Sequence, residues 1–408
     1  MGFSLLKILS FANLAGFLFC ILFLKGDKNR RYIQYILLAY PLMALFVIPM
    51  ADGFDLITIL FVLFFYRKRQ VNLYNGAVYT ILFAVLMISI GIGLFVSDFK
   101  GPELLHELIA IGTIFAFAKI LIDECLYDIH FFYDVVKYLK ITLITSLLFL
   151  CCQFVFGIEF ALIKTYNPNI ILADAIRYPS FLSDPQTYSQ FLAVSSFLFL
   201  IRDYRDEKFN KLNYVFVMLS IVAILVAGGR AGLAGWALGM LLVVLFGSST
   251  YRWSIIGAGA GLYVIAMQFQ DKFAFFKRGT DVDETYEFRH GIWMDAWNIF
   301  LKFPFVGIGL SNYSSYVAVH NPDQVWIIDN EFVYFDHPEN GFLKILTELG
   351  AIGFVPVGVG QCLVNTREGH NRECIRAAFL NAFQPQFLRP ALANALVFKI
   401  RAQLGDAV

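Results

Sequence analysis

The stretch Gly76-Ala-Val-Tyr-Thr-Ile-Leu-Phe-Ala-Val-Leu-Met-Ile-Ser-Ile-Gly-Ile-Gly-Leu-Phe-Val-Ser97 contains no charged side chain. Twenty apolar residues at the helical rise of about 1.5 Å per residue span the roughly 30 Å hydrocarbon core of a bilayer. Similar runs cover 3–24, 32–49, 54–66, 104–122, 138–157, 188–201, 213–228, 231–247, 254–270 and 340–360, three of them short (54–66, 188–201 and 213–228). Of the 408 residues 59% are hydrophobic and only 15% charged, against about 25% charged in a soluble domain. Too little polar surface remains to coat a water-soluble particle. The sequence therefore predicts an all-α, polytopic transmembrane helix bundle of about 10–12 spans. The net charge of +1 offers no bulk field for nucleic acid.

The segment Phe3 to Leu24 has the apolar character of a signal peptide. It lacks a small-residue cleavage site and is followed by Lys25-Gly-Asp-Lys-Asn-Arg-Arg31, so it reads as a retained first span. Orientation follows the asymmetry of Lys and Arg in short loops. Lys25, Lys28, Arg30 and Arg31 follow the first span, Arg67, Lys68 and Arg69 the third, Arg202, Arg205, Lys208 and Lys211 the seventh, and Arg252 the ninth. These loops are assigned to the cytoplasm and the N-terminus to the outside. The six cysteines are scattered, with no CxxC pair, and define neither a zinc site nor a disulfide framework.

Two long external segments result, 158–187 and 271–339, and loops of such length are usually functional or disordered. The second holds Trp293, Trp297, Trp326 and many Phe and Tyr residues. Within it Ile292, Trp293, Ala296, Trp297, Ile299 and Phe300 recur at helical spacing, with Arg289, Asp295, Asn298 and Lys302 largely outside the stripe. That pattern predicts an amphipathic interfacial helix, opened by Arg289 and ended by Pro304 and the turn glycines Gly307 and Gly309. The organisation expected is a bundle over 1–270, a large periplasmic loop over 271–339 containing short amphipathic helices, a final span over 340–360, and an atypical tail over 361–408. Up to Phe354 the chain carries 15 Lys and 11 Arg, and after it 1 Lys and 5 Arg. A frameshift, insertion or gene truncation near 355 is the expectation that this change of composition raises.

Three external positions carry ionisable groups suited to chemistry. Arg230 lies in Ala227-Gly-Gly-Arg-Ala231, a turn too short to lift it far from bilayer depth, where an arginine is costly and usually faces a partner or a wet cavity; a snorkelling side chain at a helix end is the structural alternative. Arg289 stands beside Glu287 and His290, so a surface ion pair competes with a site role. His337 lies in Asp336-His-Pro-Glu-Asn340. There Asp336 or His337 can cap a helix, Pro338 suits the first helical position, and the free N–H groups form an anion site. A neutral imidazole accepts a proton near pH 7, and Glu339 is a second candidate base or a first-turn carboxylate favoured by the helix dipole. Arg177, in Arg177-Tyr-Pro-Ser-Phe-Leu-Ser-Asp-Pro185, is open to two readings: contact with an anionic or sugar ligand, or a loop arginine in solvent. Asp184-Pro185 is a helix-start signal.

Four stretches together resemble the O-antigen ligase and O-antigen polymerase superfamily of bacterial membrane glycosyltransferases. They are Arg177 to Leu192, Ala227 to Leu233, Arg289 to Leu310, and Asp336 to Gly350. Gly229 stands where the family usually has serine before the arginine, and the chain after 354 does not resemble the family. The resemblance implies chemistry on undecaprenyl-diphosphate-linked glycan at the periplasmic face of the inner membrane, in lipopolysaccharide assembly. An acceptor hydroxyl attacks the anomeric carbon and undecaprenyl diphosphate leaves. Fixed cations stabilise the charge that develops on the leaving group, and arginine forks suit phosphate oxygens. Carried over, Arg230, Arg289 and Arg177 bind substrate, while His337 and Glu339 are the catalytic candidates. No cofactor or metal is implied. The implied partners are the lipid-linked glycan, the bilayer, a flippase and a chain-length regulator. Polymerase is the reading taken, with ligase transfer to the lipid A core and a glycolipid transporter as alternatives. A transporter predicts mid-span ionisable residues and paired interrupted helices. The orientation predicts that Ser315→Cys is labelled by an impermeant thiol reagent from the periplasm; labelling only after cell lysis would overturn it.

Overall fold

The computed structural model describes residues 2–43, 46–48, 51–69, 73–96, 104–158, 160, 171–172, 175–182, 184–201, 212–246, 268, 282–320, 326–328, 331–333, 338 and 340–363. The expected span at 254–270, apart from Gln268, and the tail from 364 onward lie outside these residues. The described chain is predominantly helical. In order come α1 (Gly2–Phe23), α2 (Lys28–Leu38), α3 (Tyr40–Met43), β1 (Phe46–Ile48), β2 (Ala51–Asp52), α4 (Gly53–Phe64), α5 (Leu73–Val96), α6 (Leu104–Tyr127) and α7 (Ile129–Phe156). There follow β3 (Ile171–Leu172), β4 (Ala175–Ile176), α8 (Pro185–Ser195), a 3-10 turn (Ser196–Leu200), α9 (Leu212–Ala227) and α10 (Arg230–Phe246). Last are α11 (Val282–Lys302), α12 (Tyr313–His320), β5 (Trp326–Ile328), β6 (Glu331–Val333) and α13 (Gly341–Leu363). The six strands form small antiparallel pairs, β1–β2, β3–β4 and β5–β6, so the all-α expectation holds for the helical mass and misses these hairpins.

Among the described residues α6 and α7 are long and apolar enough to cross a membrane, and stretches of α1, α4, α5, α9 and α10 are shorter apolar helices. Only 11% of the most apolar window of α6 is buried, unlike the core helix of a soluble protein. Phe23, Phe64, Phe95, Val155 and Val194 are likewise largely exposed. The span expected at 32–49 is corrected. Asp27 caps α2 by accepting from the N–H groups of Asn29 and Arg30, which starts the helix earlier, and it ends at Leu38, before α3 and the β1–β2 hairpin.

The chain divides into two compact units, 1–135 with 280–367 and 136–279 with 368–408. In the first, Glu124 of α6 is completely buried and multiply bonded. It accepts from Asn29 Nδ2 at 2.7 Å, Arg30 Nε at 3.3 Å, and Arg69 Nε and Nη2 at 2.6 and 3.0 Å. Arg69 also pairs with Asp27 at 2.6 Å and Arg30 with Asp128 at 3.0 Å. These bonds and the ion pairs to Glu124 raise the pKa of Arg69 above its ordinary value. A buried carboxylate persists when its oxygens are this fully hydrogen-bonded. Beside it Tyr32 stacks on Phe61, with ring centroids 4.1 Å apart, and its hydroxyl meets Thr58 at 2.7 Å.

The expected final span is not one continuous helix. Gly350 takes φ 62° and ψ −169° inside α13, which breaks the i to i−4 ladder. Five of the backbone groups around the break find partners elsewhere in the fold. Thr347 and Glu348 carbonyls accept from Ile308 and Gly309 N–H, each at 2.9 Å. Leu349 carbonyl accepts from Ser89 Oγ at 3.0 Å. Ala351 and Ile352 N–H donate to the Pro304 and Phe305 carbonyls at 2.9 and 3.1 Å. The approach is close enough to require glycine on both sides: a Cβ on Gly350 would stand 2.3 Å from Phe305 C, and one on Gly307 2.4 Å from Glu348 C. The α11 stripe is present, with Ile292, Ala296 and Ile299 buried and Trp297 turned outward.

The second unit packs α7, α8, α9 and α10 around Leu143, Tyr188, Leu192, Ile224 and Ala227. The helix start read at Asp184-Pro185 is present: Asp184 accepts from Thr187 N–H at 2.7 Å, with Pro185 at the first turn.

Gly350→Ala combines a left-handed residue, which costs about 1–2 kcal/mol in a non-glycine, with an overlap against backbone. Less folded protein in membranes and a lower unfolding midpoint in detergent are expected; a midpoint unchanged from the parent would contradict the interrupted α13.

Candidate functional site

In the second unit, α9 and α10 are joined by Gly228 and Gly229 alone. Gly228 adopts φ 66°, and its N–H donates to the Ile224 and Leu225 carbonyls, closing α9 with a left-handed cap. Arg230 is the first residue of α10 and is half-buried. Arg177 reaches the same turn. Its Nε donates to the Ala227 carbonyl at 2.9 Å, placing a cation on the C-terminal end of α9, where the helix dipole favours it. The side chain is 1% exposed, so the reading of Arg177 as a loop arginine in solvent is corrected. Burial lowers its pKa, with Asp184 acting in the opposite sense, yet a guanidinium remains charged.

The segment after Arg177 is fixed by α7. Gln153 uses its amide both ways on Ser180, accepting from Ser180 N–H at 2.9 Å and donating to Ser180 O at 2.9 Å. Ser180 adopts φ 57°, and its hydroxyl donates to Ser146 O at 2.7 Å. Gln153 and Ser146 escaped selection as site-building residues, although a polar residue within an apolar run is itself a signal. Ser189 of α8 completes the arrangement. A Cβ on Gly229 would lie 1.8 Å from Ser189 Oγ, and one on Gly232 2.6 Å from it. Gly229 is thus the residue that lets α8 close on the Arg230 turn.

In the first unit Arg289 lies in the third turn of α11, which begins at Val282. The expectation that Arg289 opens this helix is therefore corrected. By helical spacing it stands on the stripe side with Trp293, Ala296 and Phe300, which corrects its expected place outside that stripe, and it is half-buried. The start of α13 also differs from expectation. Asn340, rather than Asp336 or His337, is the cap: its Oδ1 accepts from Phe342 and Leu343 N–H at 3.0 and 3.3 Å. A short side-chain amide at this position is a strong helix starter, and it occupies two N–H groups that the anion-site reading had left free. Pro338 is buried, while His337 and Glu339 lie outside the described residues. Further along, Lys344 pairs with Glu107 at 2.6 Å. Glu348, buried, accepts from the N–H of Tyr313 at 3.4 Å. Among the described residues no group of three His, Cys, Asp or Glu side chains could hold a metal ion.

Of the five residues singled out in the sequence, the structure brings Arg177 to the turn that carries Arg230 and sets Arg289 on a packed helix of the other unit. Among the described residues, two helices long and apolar enough to cross a membrane and several exposed apolar helices give the chain the character of a membrane protein. Residues 215–357 match the family described as O-Antigen ligase, a stretch that includes Arg230, Arg289, His337 and Glu339. For this part of the chain the match supports the O-antigen ligase and polymerase superfamily. No curated protein and no solved structure matches it.

The packing at Gly229 generates a paired test. Gly229→Ala forces α8 away from α10 and lowers the yield of folded protein, whereas adding Ser189→Gly to it restores most of the loss. Strictly additive effects of the two changes would show that the residues are not in contact.

Proposed function

We propose that the protein is a periplasmic-face glycosyltransferase of the inner membrane that polymerises undecaprenyl-diphosphate-linked glycan repeat units in O-antigen assembly. The match of 215–357 to the O-antigen ligase family is the observation that carries the reading. In the proposed reaction the acceptor hydroxyl oxygen forms a bond to the anomeric carbon of the lipid-linked sugar. The bond from that carbon to the diphosphate oxygen breaks, undecaprenyl diphosphate departs with the electron pair, and the hydroxyl proton passes to a base. Arg289 is assigned to the leaving diphosphate, and Arg230 is kept as a separate substrate-binding candidate. Each is held on a helix rather than on a loop, which supports a role for a preorganised cation. His337 is assigned as the base or acceptor-orienting group, with Glu339 as its alternate. Arg177, bonded to the Ala227 carbonyl, acts on the substrate through the turn it holds.

The ligase reading is the second one, favoured by the description of the matched family itself. A deletion strain separates them: lipopolysaccharide bearing single repeat units identifies a polymerase, and lipopolysaccharide bearing none identifies a ligase. A flippase and a chain-length regulator are the partners expected in the polymerase case.

Loss of one fixed donor to a developing anion typically costs about 10²–10³ in rate. Arg289→Ala and His337→Ala are each expected to abolish glycan assembly while membrane insertion persists. Full complementation by either variant would refute its site role.

A further inference from the structure

Tyr313, the first residue of α12, is 0% exposed. Its ring packs in a cluster with Ala296 and Ile299 of α11 and with Ile308 and Val317. The backbone N–H donates to Glu348, but the buried hydroxyl has no hydrogen-bond partner in the protein. Two other fully buried tyrosines are different. The Tyr32 hydroxyl meets Thr58 at 2.7 Å, and that of Tyr188 reaches Ser146 O at 3.4 Å. Buried polar groups are almost always bonded, and an exception calls for a reason. A phenylalanine would fill the same ring space without leaving an orphaned hydroxyl, so packing gives no account of the oxygen.

The surroundings indicate the chemistry of a partner. Burial, reinforced by the negative charges of Asp295 and Glu348, raises the Tyr313 pKa well above its ordinary value, so the group is a neutral O–H donor. The Asp295 carboxylate disfavours a phosphate here, but it suits a neutral polyhydroxyl group, to which a tyrosine donates and from which a carboxylate accepts. Asp295 lies on α11 six residues after Arg289, about 9 Å along the helix axis. The spacing separates a sugar-binding group from the cation assigned to the diphosphate.

We propose that Tyr313 and Asp295 form a subsite for a sugar hydroxyl of the lipid-linked glycan. The subsite rests on the glycosyltransferase reading above. Tyr313→Phe in the full-length protein is expected to lower glycan polymer formation in cells by roughly 5- to 100-fold, the effect of removing one buried hydrogen bond and leaving its partner unmet. The unfolding midpoint in detergent should stay unchanged or rise, because an unbonded buried hydroxyl is lost. Added undecaprenyl diphosphate, which carries no sugar, should shift the midpoints of the parent and Tyr313→Phe equally. Polymer formation at the parental level in Tyr313→Phe, a fall explained by less folded protein, or a smaller shift with undecaprenyl diphosphate would each overturn the subsite. Arg289→Ala run alongside separates the two levels. If it abolishes polymer while Tyr313→Phe does not, only the subsite fails; if it leaves polymer intact, the diphosphate reading fails and the subsite with it.

Discussion

The interruption of α13 at Gly350 is the constraint on which the packing of α11, α12 and α13 in the first unit depends. A helix broken inside packed protein leaves backbone groups that need partners, so irregular backbone persists there only where other protein groups answer it. The 304–309 segment supplies four of the five bonds, and Ser89 of α5 supplies the fifth. Each bond fixes something else in turn. Pro304 and Phe305 lie directly behind α11, so the end of that helix is tied to α13. Ile308 and Gly309 lead into α12, whose first residue donates its N–H to the Glu348 carboxylate. Glycine is required at 307 and 350 because two backbones meet there with no room for a methyl group.

Close backbone approach organises the second unit as well, with a different outcome. The Gly228–Gly229 connection is the shortest way to reverse the chain between two helices, and Ser189 occupies the space that it leaves. Arg177 then closes the carbonyl end of α9. A guanidinium used in this way contributes twice, by satisfying a backbone acceptor and by opposing the helix dipole. Arg230, as the opening residue of α10, takes its bearing from the register of that helix.

Much of this was legible in the sequence, for identifiable reasons. Apolar runs long enough to span hydrocarbon locate α1, α5, α6 and α7, because length and charge depletion act locally. The α11 stripe and its termination at Pro304 follow from periodicity and from proline's missing N–H. The true cap of α13 was harder to read, since Asp336 and Asn340 are both strong capping types four residues apart. The break at Gly350 carries no local mark that separates it from a glycine tolerated within a helix; it is set by Pro304 to Gly309, more than forty residues earlier. The burial of Arg177 likewise depends on Gln153 and Ala227, both remote in sequence. The Arg177–Arg230 juxtaposition appeared in the sequence only as two separate motifs.

The carboxylate of Glu124 has a consequence for biogenesis. Arg30 and Arg69 belong to the basic loops from which the orientation of the chain is read, yet in the folded protein both are paired with acidic groups. The finished molecule therefore presents less free positive charge at these loops than a count of its lysines and arginines gives. These pairs form only once α6 is in place, so until Glu124 reaches them the two arginines carry their charge without this partner. Once the helices assemble, the same arginines change employment and tie α2 and the segment ahead of α5 to α6.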